Sequence, residues 1–124
     1  MLLRDNSKNV ADNQLFYLAV MSAAKKFSWK LVKKALKIKN MRFATPEEVF
    51  IRTGCLPGAV PPFGSAFETT TLVDESLQKQ GDTINFNCGL KTHSVRMKVE
   101  DYLKLENPKM VGIFTEEGEE KAEQ

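Results

Sequence analysis

Hydrophobic positions in this chain follow two periods, and the switches between them mark its elements. Leu15-Phe16-Tyr17-Leu18-Ala19-Val20-Met21 is a continuous apolar run of strand length between polar residues, the pattern of a buried strand. Leu2-Leu3-Arg4 reads as the end of a strand whose beginning is missing. The polar, turn-rich residues Asn6 to Asn13 then read as a hairpin loop. Ser28 can cap a helix that begins at Trp29. On that helix Trp29, Val32, Ala35 and Leu36 share one face, while Lys30, Lys33, Lys34 and Lys37 repeat at i, i+3, i+4 and i+7 on another. Met41-Arg42-Phe43 predicts a short strand. Thr45-Pro46-Glu47-Glu48 predicts a helix start, with a capping residue, proline at the first helical position and acids in the first turn. That helix runs to about Thr53 and stops at Gly54.

Further on, the β-branched run Thr69-Thr70-Thr71-Leu72-Val73 predicts a strand. Asp74-Glu75-Ser76-Leu77 predicts one helical turn, with Asp74 and Glu75 at its start, and Gly81-Asp82 a turn. Thr83-Ile84-Asn85-Phe86-Asn87 and His93-Ser94-Val95-Arg96-Met97-Lys98 both alternate as strands do, and Cys88-Gly89-Leu90-Lys91-Thr92 lies between them as a glycine-containing loop. Val99 to Leu105 predicts a short helix ended by Asn107-Pro108, and Met110 to Phe114 a last strand. Strands outnumber helices without strict alternation. The fold class is therefore α+β: one domain with a mixed, mostly antiparallel sheet and flanking short helices.

One stretch fits none of these periods. Thr53-Gly54-Cys55-Leu56-Pro57-Gly58-Ala59-Val60-Pro61-Pro62-Phe63-Gly64 holds three glycines and three prolines in twelve residues. Glycine lets a ligand approach the backbone and proline holds that backbone still, so the stretch suits a preformed pocket wall with main-chain N–H groups turned inward. A rigid surface turn accounts for the same residues.

Composition narrows the field. A chain of 124 residues suits one core, and 42% hydrophobic with 27% charged residues is ordinary globular usage. No apolar run approaches a membrane span, and Met1-Leu2-Leu3-Arg4-Asp5 has no signal-peptide pattern. Cys55 and Cys88 are too few for a disulfide scaffold and, with His93 the single histidine, cannot form a four-ligand zinc site from one chain. A reducing, cytoplasmic setting with free thiols is expected. The net charge of +2 hides an asymmetry, because Thr115 to Gln124 carry five Glu and one Lys. That acidic stretch is expected to be a disordered tail. Lys25 to Arg42 hold eight basic residues and no acid, which suits an anionic partner or a solvated helix face.

Candidate chemistry is sparse. Cys55 could be a thiolate nucleophile in the Gly/Pro loop with His93 as its base, though nothing in the sequence pairs them. Cys88 reads as a small buried residue and Lys91 as the lysine nearest both glycine loops. No carboxylate pair has acid–base spacing, and there is no phosphate loop or dinucleotide fingerprint, so no cofactor is expected.

The motifs taken in order resemble a known family. Pro57-Gly58-Ala59-Val60-Pro61-Pro62-Phe63-Gly64 resembles the central loop of the YbaK/ProX aminoacyl-tRNA deacylases. Leu2-Leu3-Arg4-Asp5, Met41 to Glu48, Val73-Asp74-Glu75-Ser76-Leu77, Ile84-Asn85-Phe86-Asn87-Cys88-Gly89 and Met97 to Asp101 are similar to the segments around it. The resemblance implies an editing domain over residues 1–114 that hydrolyses the ester of a mischarged small amino acid on tRNA. It implies Gly58, Ala59, Val60, Pro61, Pro62, Phe63 and Gly64 as pocket wall and oxyanion site, with Asn87, Gly89 and His93 opposite. It implies tRNA as partner, contacted by Lys30, Lys33, Lys34 and Lys37, and an aminoacyl-tRNA synthetase as a further partner. The family's functional lysine falls about two positions ahead of Met1. The catalytic residue is therefore unassigned, and poor deacylation by residues 1–124 alone is expected. A tRNA-binding or synthetase-associated module without catalysis is the alternative.

Overall fold

The computed structural model describes residues 1–7, 15–22, 25–79, 81–90, 92–108, 110–112 and 114–117. In chain order its elements are β1 (Leu2–Asp5), β2 (Phe16–Val20), β3 (Lys25–Phe27), α1 (Trp29–Leu36), β4 (Met41–Phe43), α2 (Pro46–Thr53) and a 3-10 turn (Gly64–Phe67). They continue with β5 (Thr70–Asp74), α3 (Ser76–Lys79), β6 (Thr83–Asn87), β7 (Ser94–Lys98), α4 (Val99–Glu106), β8 (Met110–Gly112) and β9 (Thr115–Glu117).

The central sheet has the order β4-β1-β2-β5-β8. β1 runs antiparallel to both β2 and β4, while β5 runs parallel to β2 and to β8. Parallel pairing needs a long crossover. The chain supplies one between β2 and β5, carrying α1 and α2, and another between β5 and β8, carrying the β6–β7 hairpin and α4. With β3–β9 and β6–β7 also antiparallel, the mixed, mostly antiparallel reading holds. Residues 8–14, most of the expected hairpin loop between β1 and β2, lie outside the described residues.

Strand alternation divides the core. Leu3, Ala19 and Leu72 turn to one face and pack with Val32 of α1. Their neighbours Leu2 and Leu18 turn to the other face and meet Val49 of α2, while Val73 meets Tyr102 of α4. Helices thus cover both faces of the sheet. The caps are as the sequence predicts. Ser28 Oγ accepts from Leu31 N–H at 3.3 Å, and Thr45 and Glu48 form a reciprocal capping box. Gly54 ends α2 in the left-handed region at φ 74°.

Two expectations need correction. The acidic stretch is not wholly a tail: Thr115–Glu117 form β9, antiparallel to β3, with Lys26 opposite Glu116. Opposite charges across a strand pair favour this register. Residues 118–124 lie outside the described residues. Asp74 is more than a helix-start residue. It ends β5 almost wholly buried, accepts from Ser76 N–H at 2.9 Å, and also accepts from Phe114 N–H at 2.5 Å and Thr115 Oγ1 at 2.9 Å. Burial pushes its carboxyl up, but these hydrogen bonds outweigh it and hold the group below its ordinary value. One carboxylate therefore fastens β9 to the central sheet.

Candidate functional site

A cavity of about 530 Å³ lies on the Leu2–Leu18 face. Leu2, Leu18, Ala19 and Val20 line it from β1 and β2, with Met1 and Met21 just beyond their ends. Phe43 of β4, Val49 of α2 and Ala44 between them line it further, with Pro57, Gly58, Val60 and Pro62 from the Gly/Pro loop. Phe86 of β6 completes the lining. All fourteen residues are apolar or glycine, so shape and main-chain groups are what this cavity offers a ligand.

The loop is fastened at several points, and each fixes a peptide plane. Gly58 sits at φ 89°, a conformation glycine adopts without strain. Its carbonyl accepts from Asn87 Nδ2 at 2.7 Å. Ala59 N–H donates to Leu56 O at 2.9 Å, and Ala59 O accepts from Gly89 N–H at 2.8 Å. Tyr102 OH donates to Pro62 O at 2.5 Å. The Phe63 ring packs edge-on against Phe86 and Tyr102, with centroids 5.7 and 5.2 Å apart. Gly64 N–H donates to Thr71 Oγ1 at 3.0 Å, and that hydroxyl donates to Glu106 at 2.5 Å. Glu106 also accepts from Ser65 Oγ at 2.7 Å and Ser65 N–H at 3.1 Å.

This wiring determines which amides remain free. Pro61 and Pro62 carry no N–H, and those of Ala59 and Gly64 are engaged within the protein. Among the described residues, the N–H groups of Gly58, Val60 and Phe63 have no hydrogen-bond partner. Of these three residues, Gly58 and Val60 line the cavity. Arg42 of β4 makes a two-pronged contact to Glu48 of α2 at 2.8 and 2.9 Å, tying together the elements that carry Phe43 and Val49. Hydrogen bonding from Arg42 pulls the Glu48 carboxyl down to about 2.

A family model described as an aminoacyl-tRNA editing domain matches residues 1–105. The chain belongs to that family. Its editing-domain relatives include the multifunctional Ser/Thr-tRNA deacylase ProXp-y of Escherichia coli K12, 39% identical over 70 residues, which are 56% of this chain and 42% of that protein. The ProXp-y of Escherichia coli O157:H7 matches equally well. The chain thus aligns with less than half the length of these curated relatives. Among solved structures, the hypothetical protein APE2540 superposes with a TM-score of 0.75 at 19% identity, covering 94% of this chain and 71% of that one. A candidate trans-editing enzyme for prolyl-tRNA synthetase gives a TM-score of 0.75 at 22% identity, covering 95% and 68%. These two share the fold. The family agrees with the YbaK/ProX resemblance read from the motifs.

Not every residue expected at the editing site meets the cavity. Gly58, Val60 and Pro62 line it, whereas Pro61 does not, and Ala59, Phe63 and Gly64 support the loop. Asn87 and Gly89 hold loop carbonyls and do not line the cavity. His93 is exposed, with Nδ1 2.8 Å from Thr92 Oγ1. Cys55 Sγ contacts its own turn at Thr53 O, 3.6 Å away, and Cys88 is exposed with Sγ 3.8 Å from His93 O. The reading of Cys88 as a buried residue is therefore corrected, and no Cys55–His93 contact is formed. Lys91 lies outside the described residues. No group of three or more His, Cys, Asp or Glu side chains able to hold a metal occurs among the described residues.

Sequence reasoning named Gly58, Val60 and Pro62 among the lining residues and missed the rest, the aromatic residues Phe86 and Phe43 among them. The signal for Phe86 was present: alternation in β6 sets it on the same face as the buried Ile84. Tyr102 and Glu106 were missed as supports, although their i, i+4 spacing puts both on one helix face. The basic helix α1 packs on the sheet face opposite Leu2 and Leu18. Ring contacts nevertheless link it to the cavity. Lys33 Nζ lies 5.6 Å from the Trp29 ring, and Trp29 lies 4.7 Å from Phe43, a lining residue.

Proposed function

We propose that this editing domain hydrolyses the ester between a small, wrongly attached amino acid and the 3′ end of tRNA. The observation that carries the reading is the rigid apolar cavity bordered by the unpartnered amides of Gly58 and Val60. A fixed apolar wall discriminates an aminoacyl side chain by size. Unpartnered N–H groups beside it can stabilise the oxyanion that forms as water attacks the ester carbonyl. The name of the ProXp-y relatives, Ser/Thr-tRNA deacylase, supports the reaction class. Mischarged tRNA is then the substrate, an aminoacyl-tRNA synthetase the enzyme whose errors are corrected, and the cytoplasm the setting. No helix among the described residues is long and apolar enough to cross a membrane.

No lining residue carries an ionisable side chain. The lysine that the family resemblance places two positions ahead of Met1 would supply one. That position lies directly ahead of Met1, which lines the cavity. The test is a panel of tRNAs charged with Ala, Ser, Thr, Cys or Pro. It is offered to residues 1–124 and to the same chain extended by two residues beginning with lysine. The extended chain is expected to release at least one amino acid, and faster than residues 1–124. Binding of tRNA with no ester cleavage by either chain would refute the reading in favour of a non-catalytic module.

A further inference from the structure

We infer that Asn87 and Tyr102 are positioning residues that hold the Gly/Pro loop from two sides so that the Val60 amide faces the ester in the cavity. The inference rests on the deacylase reading and deepens it. In a trans peptide the C=O and N–H point in opposite directions, and no cis peptide occurs in the described chain. Anchoring a carbonyl therefore aims the N–H of the next residue. Ala59 O is anchored by Gly89 N–H, so Val60 N–H points away from the β6–β7 turn. Asn87 anchors the preceding carbonyl, Gly58 O, from that same turn at 2.7 Å. With Ala59 N–H engaged on Leu56 O, the Gly58–Ala59 plane is held at both edges. Tyr102 anchors Pro62 O two residues beyond Val60. Its ring is fully buried, and burial together with the Glu106 charge raises its hydroxyl well above the usual range, so it remains a donor.

Neither side chain lines the cavity, yet both meet carbonyls of residues that do, Gly58 and Pro62. Val60, between them, presents an N–H without a partner. An oxyanion donor acts only where its geometry is fixed before reaction, since placement errors near 1 Å cost about a hundredfold in rate. The two anchors supply that fixity while leaving the cavity surface apolar.

The experiment compares the wild-type chain, extended as above, with Tyr102→Phe and Asn87→Asp. The first removes only a hydroxyl, and the second replaces the donating amide with a carboxylate of the same shape. Each variant is expected to lower kcat about 10- to 100-fold with KM within about twofold. Binding of an amide-linked alanyl analogue of the terminal adenosine, which cannot be hydrolysed, should be unchanged. A purely structural role would instead weaken analogue binding and melting temperature together. In nuclear magnetic resonance titrations the analogue should shift the Val60 amide of the wild type and shift it less in Asn87→Asp. Variants with wild-type kcat, or a wild-type Val60 amide that the analogue leaves unmoved, would overturn the inference. Loss of the deacylase reading has a different signature, wild-type chains that cleave no ester while the Val60 amide still responds.

Discussion

Substituting Gly64 tests the loop's attachment to the sheet. A Cβ built on Gly64 would lie 2.3 Å from Thr71 Oγ1 and 2.6 Å from Thr69 O. Its φ lies outside the left-handed region, so backbone strain plays no part, and the effect comes from space alone. Thr71 can swing aside only by breaking its bonds to Gly64 N–H and Glu106. The first is worth about 0.5–1.5 kcal/mol and the second, to a carboxylate, about 1.5–3 kcal/mol. Thr69 O is backbone, and overpacking of that kind costs about 1–3 kcal/mol. Alanine restricts the unfolded chain and offsets about 0.4–1 kcal/mol of this. Gly64→Ala should therefore destabilise by about 2–7 kcal/mol, read as a lower urea midpoint at unchanged m-value. Gly112→Ala is the control: its Cβ would meet nothing nearer than the Phe114 ring at 3.4 Å, and less than about 1 kcal/mol is expected. Thr71→Ala removes the closer of the two clashing atoms, so the double variant should recover at least about 1 kcal/mol relative to additivity. A Gly64→Ala chain no less stable than Gly112→Ala would refute the reasoning.

Three further outcomes follow from the same contacts. Glu48 titrates at about 2 when folded against an ordinary 4.5, because Arg42 and the Thr45 amide favour its charged form. Its contribution is complete above about pH 4.5 and is lost as pH falls toward 2, so Glu48→Gln should flatten the acid limb of a melting-temperature profile over that window. Replacing Lys30, Lys33, Lys34 and Lys37 together by Ala should weaken tRNA binding and make the slope of log K against log salt shallower by up to about 3, each phosphate contact contributing about 0.7–0.9. An unchanged slope would remove α1 from the tRNA surface. Cys55→Ala should leave ester hydrolysis within about twofold of wild type, because its thiol faces Thr53 O and lies apart from His93; loss of turnover would revive a thiolate mechanism.

Where local chemistry decides, the sequence was legible. Thr45-Pro46-Glu47-Glu48 specifies a cap, and the cap is there with both of its hydrogen bonds. Leu15 to Met21 specifies a buried strand, and β2 lies inside the sheet, paired on both sides. β3 and β9 escaped notice because each is three residues long and mostly polar or charged. Their pairing depends on Asp74, some forty residues away from Thr115 in the chain, and no local window contains both. His93 shows the same limit from the other side: alternation places a residue on a strand but does not say whether the strand's end reaches the cavity.

The Gly/Pro loop carries this argument furthest. Its composition announced stiffness, and stiffness suggested inward-facing amides. Yet the prolines that stiffen it abolish two of the seven possible donors between Gly58 and Gly64. Two more, at Ala59 and Gly64, are consumed in holding the loop to its own turn and to Thr71. Rigidity and donor capacity therefore compete within one short segment. The compromise depends on carbonyl anchors from Asn87, Gly89 and Tyr102, which tie the loop down without using its remaining amides. A loop motif read alone overstates its donors. What leaves Gly58 and Val60 available for an ester is the hairpin and helix behind them.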